Sequence, residues 1–155
     1  MEKFMSKYKS KVFRVIKKYK LVVDGDKIFV CLSGGKDSGS AAYLLKKYIE
    51  EKNIDCDLKG FHINLQLETS EKVEKITREQ TKMIGIPLIK IDVSEYGVDM
   101  KKIAKLPRPI CSSCGLIKRY LMNKVPREMG ANKIATGHHG DDFLVFFFKN
   151  IMGGN

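Results

Sequence analysis

Cysteine, acidic residues and long apolar runs are all scarce in this sequence, and each scarcity narrows what the chain can be. No run approaches the roughly 20 apolar residues of a membrane span, which argues against an embedded protein. The lysine-rich start carries no apolar stretch of the signal-peptide kind, so a cytoplasmic protein is expected. Four cysteines, unevenly spaced, are too few for a disulfide scaffold. With 43% hydrophobic and 30% charged residues, 13 Gly and 4 Pro, the composition is that of a globular chain, neither disordered nor fibrous. At 155 residues, one domain around one core is the starting expectation, with no repeat, linker or low-complexity segment.

Acidic residues number 18 against 29 basic ones, a net charge of +11, which points to polyanionic partners. The excess is local. Residues 1–20 carry eight basic side chains against one acidic one and supply +7 of the +11. Phe4, Tyr8, Val12, Val15, Ile16 and Tyr19 recur at helical spacing there, so residues 1–22 form an amphipathic helix with a lysine face. That face is either a solvated surface or a site where Lys7, Lys11, Arg14 and Lys18 capture nucleic-acid phosphates.

From residue 23 onward strand and helix alternate. Strands are expected at 27–32, 58–65, 87–93 and 132–136; helices at 39–50, 69–84, 98–104 and from Cys111 to about Met129. Ser70 followed by Glu74 reads as a helix-capping signal. Such alternation implies an α/β domain, a Rossmann-like doubly wound parallel sheet of four to five strands with helices on both faces. Ligands of these sheets bind at the carboxyl ends of the strands, where three polar constellations fall: residues 33–38, the Cys111 loop and residues 137–142.

The first, Ser33-Gly34-Gly35-Lys36-Asp37-Ser38, joins a buried strand to a helix. Backbone N–H groups converge there at the positive end of a helix dipole, and the glycines let backbone approach phosphate. The serines add hydroxyl donors, Lys36 a positive charge, and Asp37 a carboxylate for Mg²⁺. The Walker spacing is absent. In the second, Cys111-Ser112-Ser113-Cys114 places two thiols one helical turn apart, with Arg108, Lys118 and Arg119 adding positive charge. By spacing alone the pair is half a zinc site, a redox pair, two ligands of an iron–sulfur cluster, or structural. In the third, His138, His139, Asp141 and Asp142 are Mg²⁺ ligands or acid–base groups beside a triphosphate, or else a solvated helix cap. The run Phe143 to Phe148 with Ile151 and Met152 predicts a helix apolar all round, which needs a cover from another subunit or further polypeptide.

The motif of residues 33–38 resembles the PP-loop of the ATP pyrophosphatases, which cleave ATP between the α and β phosphates and activate a substrate oxygen as an adenylate. The resemblance implies that the loop grips the departing pyrophosphate and that backbone near Ile63 and Asn64 receives the adenine; His62 reads as an ordinary strand residue. Cys111-Ser-Ser-Cys114, Lys118-Arg119, then Gly137-His138-His139-Gly140-Asp141-Asp142 and Gly153-Gly154 follow in the order of the TtcA-type tRNA 2-thiocytidine synthetases, which the chain resembles over the first half of a typical member. The approach from Asp24 to Leu32 is similar too. The related TtuA-type tRNA 2-thiouridine synthetases share the motifs but carry an N-terminal zinc ribbon not seen here. Val145-Phe146-Phe147 stands where the family has a polar Thr or Glu.

This resemblance implies ATP, Mg²⁺ and a 4Fe-4S cluster as cofactors, with Cys111 and Cys114 as two cluster ligands and a third ligand unassigned; Cys31 and Cys56 read as structural. It implies tRNA as partner, a sulfur donor protein or free sulfide, and a homo-oligomer or a second chain supplying the missing half. Lys36, Asp37, Asp141, Asp142 and His138 inherit catalytic roles, Gly137 a place at the nucleotide, Asp37 and Asp142 the Mg²⁺, and Lys118 with Arg119 a place against tRNA. Residues 23–155 are then a PP-loop nucleotide-binding domain. Two alternatives stay open: another PP-loop adenylating ligase, and a truncated non-catalytic subunit binding nucleotide or RNA.

Overall fold

A computed structural model describes residues 2–107 and 109–153, and the side chains from Ser6 onward. Arg108 and Gly154, and the Phe4 side chain, named above, lie outside the described residues.

Strand β1 (Asp26–Cys31) is central. Its residues alternate between two cores, as a strand covered on both sides must. Ile28 and Val30, with Leu32 just beyond, pack with Ile16 of α1 (Glu2–Lys18) and Ala42, Tyr48 and Ile49 of α2 (Lys36–Lys52). Phe29 faces the opposite way, toward Leu121 and Val125 of α5 (Ile110–Glu128) and Met100 of the short α4 (Met100–Ile103). Strands β2 (Cys56–Asn64), β3 (Leu88–Asp92) and β4 (Lys133–Ala135) complete a four-stranded parallel sheet in the order β3-β2-β1-β4. Between β2 and β3 runs α3 (Ser70–Ile84), and after β4 comes α6 (Gly140–Met152). The fold is the doubly wound α/β sheet expected.

The chain builds outward from β1 to β2 and β3, then returns to place β4 on the other side of β1. That reversal opens a crevice at the carboxyl ends of β1 and β4.

Several local expectations need correction. Helix α2 begins at Lys36 rather than Gly39, because Gly35 takes the N-cap position and its carbonyl already accepts from the Gly39 amide at 3.2 Å. The capping box of α3 does not form. Ser70 Oγ instead accepts from the Leu67 amide at 2.9 Å, and Glu74 is drawn away by Arg78 at 2.7 Å and Lys90 at 3.3 Å. The helix expected at 98–104 shrinks to one turn, started by Asp99, whose carboxylate accepts from the Lys101 and Lys102 amides.

At the amino end of the sheet, Asp26 is 3% exposed and accepts from Lys133 Nζ at 2.6 Å, the Val23 amide at 2.8 Å and Asn132 Nδ2 at 2.9 Å. Burial alone would raise its pKa, but Lys133, the Val23 amide and Asn132 together hold it below the ordinary value. A carboxylate with a depressed folded-state pKa contributes stability that is present above its unfolded pKa of about 3.9 and is lost as pH falls through the folded value. Asp26→Ala removes a buried carboxylate on which three donors converge and is expected to cost about 2–3 kcal/mol in urea unfolding at neutral pH. The gap between variant and parent should narrow below about pH 4; a gap independent of pH would contradict the charge-based account.

Candidate active site: a nucleotide cleft beside a cysteine pair

The segment after β1 turns sharply at Gly34, whose φ of +77° is a left-handed conformation that suits glycine. Ser38 Oγ ties the two ends together, accepting from the Ser33 amide at 3.2 Å and donating to the Gly35 carbonyl at 3.0 Å. From below, Gln80 Nε2 stands 3.5 Å from both the Gly34 and Gly35 carbonyls. No side chain caps α2 at Gly35, so its first amides remain free to face an anion.

Gly137, just past β4, touches this loop directly. A Cβ there would lie 2.6 Å from the Ser38 amide nitrogen and 2.7 Å from Ser38 Cα. Glycine is the residue that lets the two segments close on each other.

Around this junction lies a cleft of about 1230 Å³. Ser33, Gly35, Asp37 and Ser38 line it from the phosphate loop; His62 and Ile63 from β2; Cys111, Lys118 and Arg119 from α5; Gly137 and His138 from the segment after β4. Three constellations far apart in sequence therefore share one cavity.

Other expected site residues are placed differently. Lys36 is among the exposed side chains, outside the cleft wall, and pairs with Asp37 at 3.1 Å. Gly34 packs behind the loop against Val73. Asn64 does not line the cleft: its Oδ1 accepts from the Gln66 amide at 2.7 Å and its Nδ2 reaches Glu74 at 3.5 Å. Asp142 accepts from the His139 amide at 2.8 Å at the start of α6, and Asp141 is almost wholly exposed; neither they nor His139 line the cleft. His138 bonds Thr136 Oγ1 at 3.0 Å. Lys7, Lys11, Arg14 and Lys18 stand on α1, which Lys9 ties to Glu51 near the far end of α2. The 17 residues of α2 put that end about 25 Å from the phosphate loop.

The cysteine pair divides across one helical turn. Cys111 is exposed and lines the cleft, whereas Cys114 is half-buried against the core beneath α5. Burial pushes the Cys31 thiol up to about 12 and is the main reason the Cys56 thiol rises to about 11, so both are protonated and inert at neutral pH. Cys31 does reach the cleft wall. Among the described residues, no group of three His, Cys, Asp or Glu side chains is gathered to hold a metal ion. Cys111 and Cys114 thus stand one helical turn apart, with no third ligand gathered beside them among the described residues.

Sequence reasoning passed over Ser70 and Val73 at the start of α3, and Phe146, Lys149 and Asn150 on α6, all of which line the cleft. For α6 a signal existed: these three residues share one helical face, hidden by the apolar run around them. That helix has no buried residue, and Phe143 to Phe148 all exceed 45% exposure.

Among proteins of known activity, the chain is 43% identical over 158 aligned residues to the tRNA-5-methyluridine(54) 2-sulfurtransferase of Pyrococcus horikoshii, covering 99% of this chain and 48% of that protein. It is 32% identical to the tRNA-cytidine(32) 2-sulfurtransferase of Ralstonia pickettii, covering 96% and 46%. The chain spans about half the length of the curated relatives it matches. In structure it matches the U34-tRNA thiolase NcsA from Methanococcus maripaludis, solved with its [4Fe-4S] cluster, at a TM-score of 0.82 and 28% identity over 94% of this chain and 50% of that one. An NH3-dependent NAD synthetase from Campylobacter jejuni, at 16% identity and a TM-score of 0.58 over 83% of this chain and 54% of that one, shares the fold. The model of the PP-loop domain matches residues 5–154, and with the phosphate loop and its α/β sheet in place, this chain belongs to the PP-loop domain family.

Proposed function

We propose that this chain is the nucleotide-binding part of an ATP-dependent tRNA thiolation enzyme, which replaces the C2 oxygen of a pyrimidine with sulfur. The single observation carrying this reading is the shared cleft: the phosphate loop, the Cys111 thiol, and the cations Lys118 and Arg119 open onto one cavity.

In this reading the free amides at the start of α2, with Ser33 and Ser38, hold the β and γ phosphates. Lys36 swings from Asp37 to the phosphates when ATP enters, freeing Asp37 for the Mg²⁺ that accompanies the nucleotide. The pyrimidine C2 oxygen bonds to the α-phosphorus, the α–β bridge breaks, and pyrophosphate leaves. Sulfide then attacks C2, and AMP departs with the original oxygen. His138, held at Thr136, lines the cleft and is assigned the proton transfer that accompanies formation of the adenylate. Asp142 accepts from the His139 amide at the start of α6, while Asp141 meets solvent. A 4Fe-4S cluster held by Cys111 and Cys114, with a third ligand from outside the described residues, would supply an iron that binds the sulfur to be transferred. The exposed apolar surface of α6 is covered in the working protein by a second copy or by further polypeptide.

Lys118 and Arg119 guide the RNA into the cleft, and the basic face of α1 engages it more remotely. Replacing both α5 cations with Glu is expected to reduce the slope of log affinity against log salt by about 1.5–2 and to abolish thiolation. Lys7→Glu with Lys11→Glu should lower tRNA affinity while thiolation at saturating tRNA persists. The reading itself is tested by anaerobic incubation with ATP, sulfide and tRNA, then mass spectrometry of the digested nucleosides. A 2-thiopyrimidine supports it; no thionucleoside from cluster-loaded protein supplied with the polypeptide that completes it would overturn it.

A further inference from the structure

The cleft wall contains one buried acceptor that no group among the described residues satisfies. His62, 4% exposed, lines the cleft from β2, and its Nδ1 lies 2.9 Å from the Leu32 carbonyl oxygen. A carbonyl oxygen only accepts, so Nδ1 carries the hydrogen. Burial lowers the pKa of the ring, which is therefore neutral at physiological pH. Nε2 is left with a bare lone pair, buried and without a partner among the described residues. Most buried polar side-chain atoms have a partner, so an orphan in a ligand cleft marks a contact still to be made.

The chemistry of that contact follows from position and polarity. Leu32 leads directly into the phosphate loop, so His62 stands beside the place where phosphates bind. Ile63, Leu65 and Val73 also line the cleft and give it apolar surface fit for a base. ATP carries no hydrogen-bond donor on its triphosphate at neutral pH; its donors are the ribose hydroxyls and the exocyclic amine of adenine. We propose that His62 Nε2 is a specificity contact for the nucleoside half of ATP, accepting a hydrogen bond from one of these uncharged donors. This inference rests on the nucleotide reading above and adds to it a residue that discriminates among nucleotides.

The test uses the intact chain and four ligands: ATP, 2′-deoxyATP, 3′-deoxyATP and purine riboside triphosphate, which lacks the 6-amine. The parent protein should bind one of the three analogues about tenfold more weakly than ATP, and that analogue names the donor. His62→Phe should lose about as much affinity for ATP and no longer distinguish the two ligands, while His62→Gln, which retains an acceptor, should recover part of both. Equal affinity for all four ligands in the parent, or discrimination that survives His62→Phe, overturns the proposal. Because the Phe variant can fail to fold, nitrogen NMR of the unsubstituted protein provides a second reading. The Nε2 resonance of His62 should move on adding ATP and stay in place with inorganic triphosphate; a resonance unmoved by ATP overturns the proposal as well. No binding of ATP at all would sink the nucleotide reading and this inference with it, whereas ATP binding with a silent His62 sinks only the inference.

Discussion

Gly137→Ala should abolish tight nucleotide binding. The added methyl would sit 2.6 Å from the Ser38 amide nitrogen, 2.7 Å from Ser38 Cα and 2.9 Å from the Asp37 carbonyl carbon. These are backbone atoms in the first turn of α2, so no flexible side chain can move aside. Either the segment after β4 retreats or the start of α2 is displaced, and both outcomes spoil the convergence of amides on phosphate. Overpacking of this kind costs about 1–3 kcal/mol in stability. Loss of phosphate-loop geometry should weaken ATP at least about tenfold in calorimetric titration, about 1.4 kcal/mol. Gly85→Ala is the matched control: its φ of +76° strains an alanine, but no atom lies within 4 Å of the added Cβ. It should cost stability and leave ATP affinity unchanged. Wild-type affinity in Gly137→Ala would show that the contact between the two loops does not shape the site.

Cys111→Ser is expected to strip iron from protein purified without oxygen. Of the pair, Cys111 faces the cleft, and Cys114 follows one turn later against the core. Serine keeps the size and removes the thiolate, so iron and acid-labile sulfide should fall at least about tenfold, with the melting temperature little changed. Cys114→Ser should have the same effect on iron and a larger one on stability, because a hydroxyl then replaces a half-buried sulfur. Cys31→Ser and Cys56→Ser should keep full iron, since neither gathers with the pair into a group of three ligands among the described residues. Stoichiometric zinc with no iron in the parent protein would contradict the cluster assignment.

How legible this was in the sequence depends on the scale of the cue. The alternation of Ile28 and Val30 with Phe29 follows from strand geometry, and the order of apolar segments implies a doubly wound sheet. The phosphate loop was legible because its glycines and serines act through backbone and short hydroxyls that are neighbours in sequence. What stayed hidden depended on partners distant in sequence. Asp26 meets Asn132 and Lys133 only because β4 returns beside β1, and the approach of Gly137 to Ser38 has the same origin. His62 looked ordinary because its role depends on a carbonyl 30 residues away and on the absence of a second partner. The α3 capping signal misled for a related reason: Glu74 had better partners in Arg78 and Lys90 than the helix end could offer.

The account turns on one chemical claim, that this cleft uses ATP by cleavage between the α and β phosphates to activate a tRNA base. The most direct test is to follow ATP labelled at the α-phosphate during anaerobic incubation with the cluster-loaded chain, sulfide and tRNA. The account predicts AMP and pyrophosphate, formed only when tRNA is present and in step with thiolated nucleoside. ADP and inorganic phosphate, or AMP released at the same rate without tRNA, would contradict it.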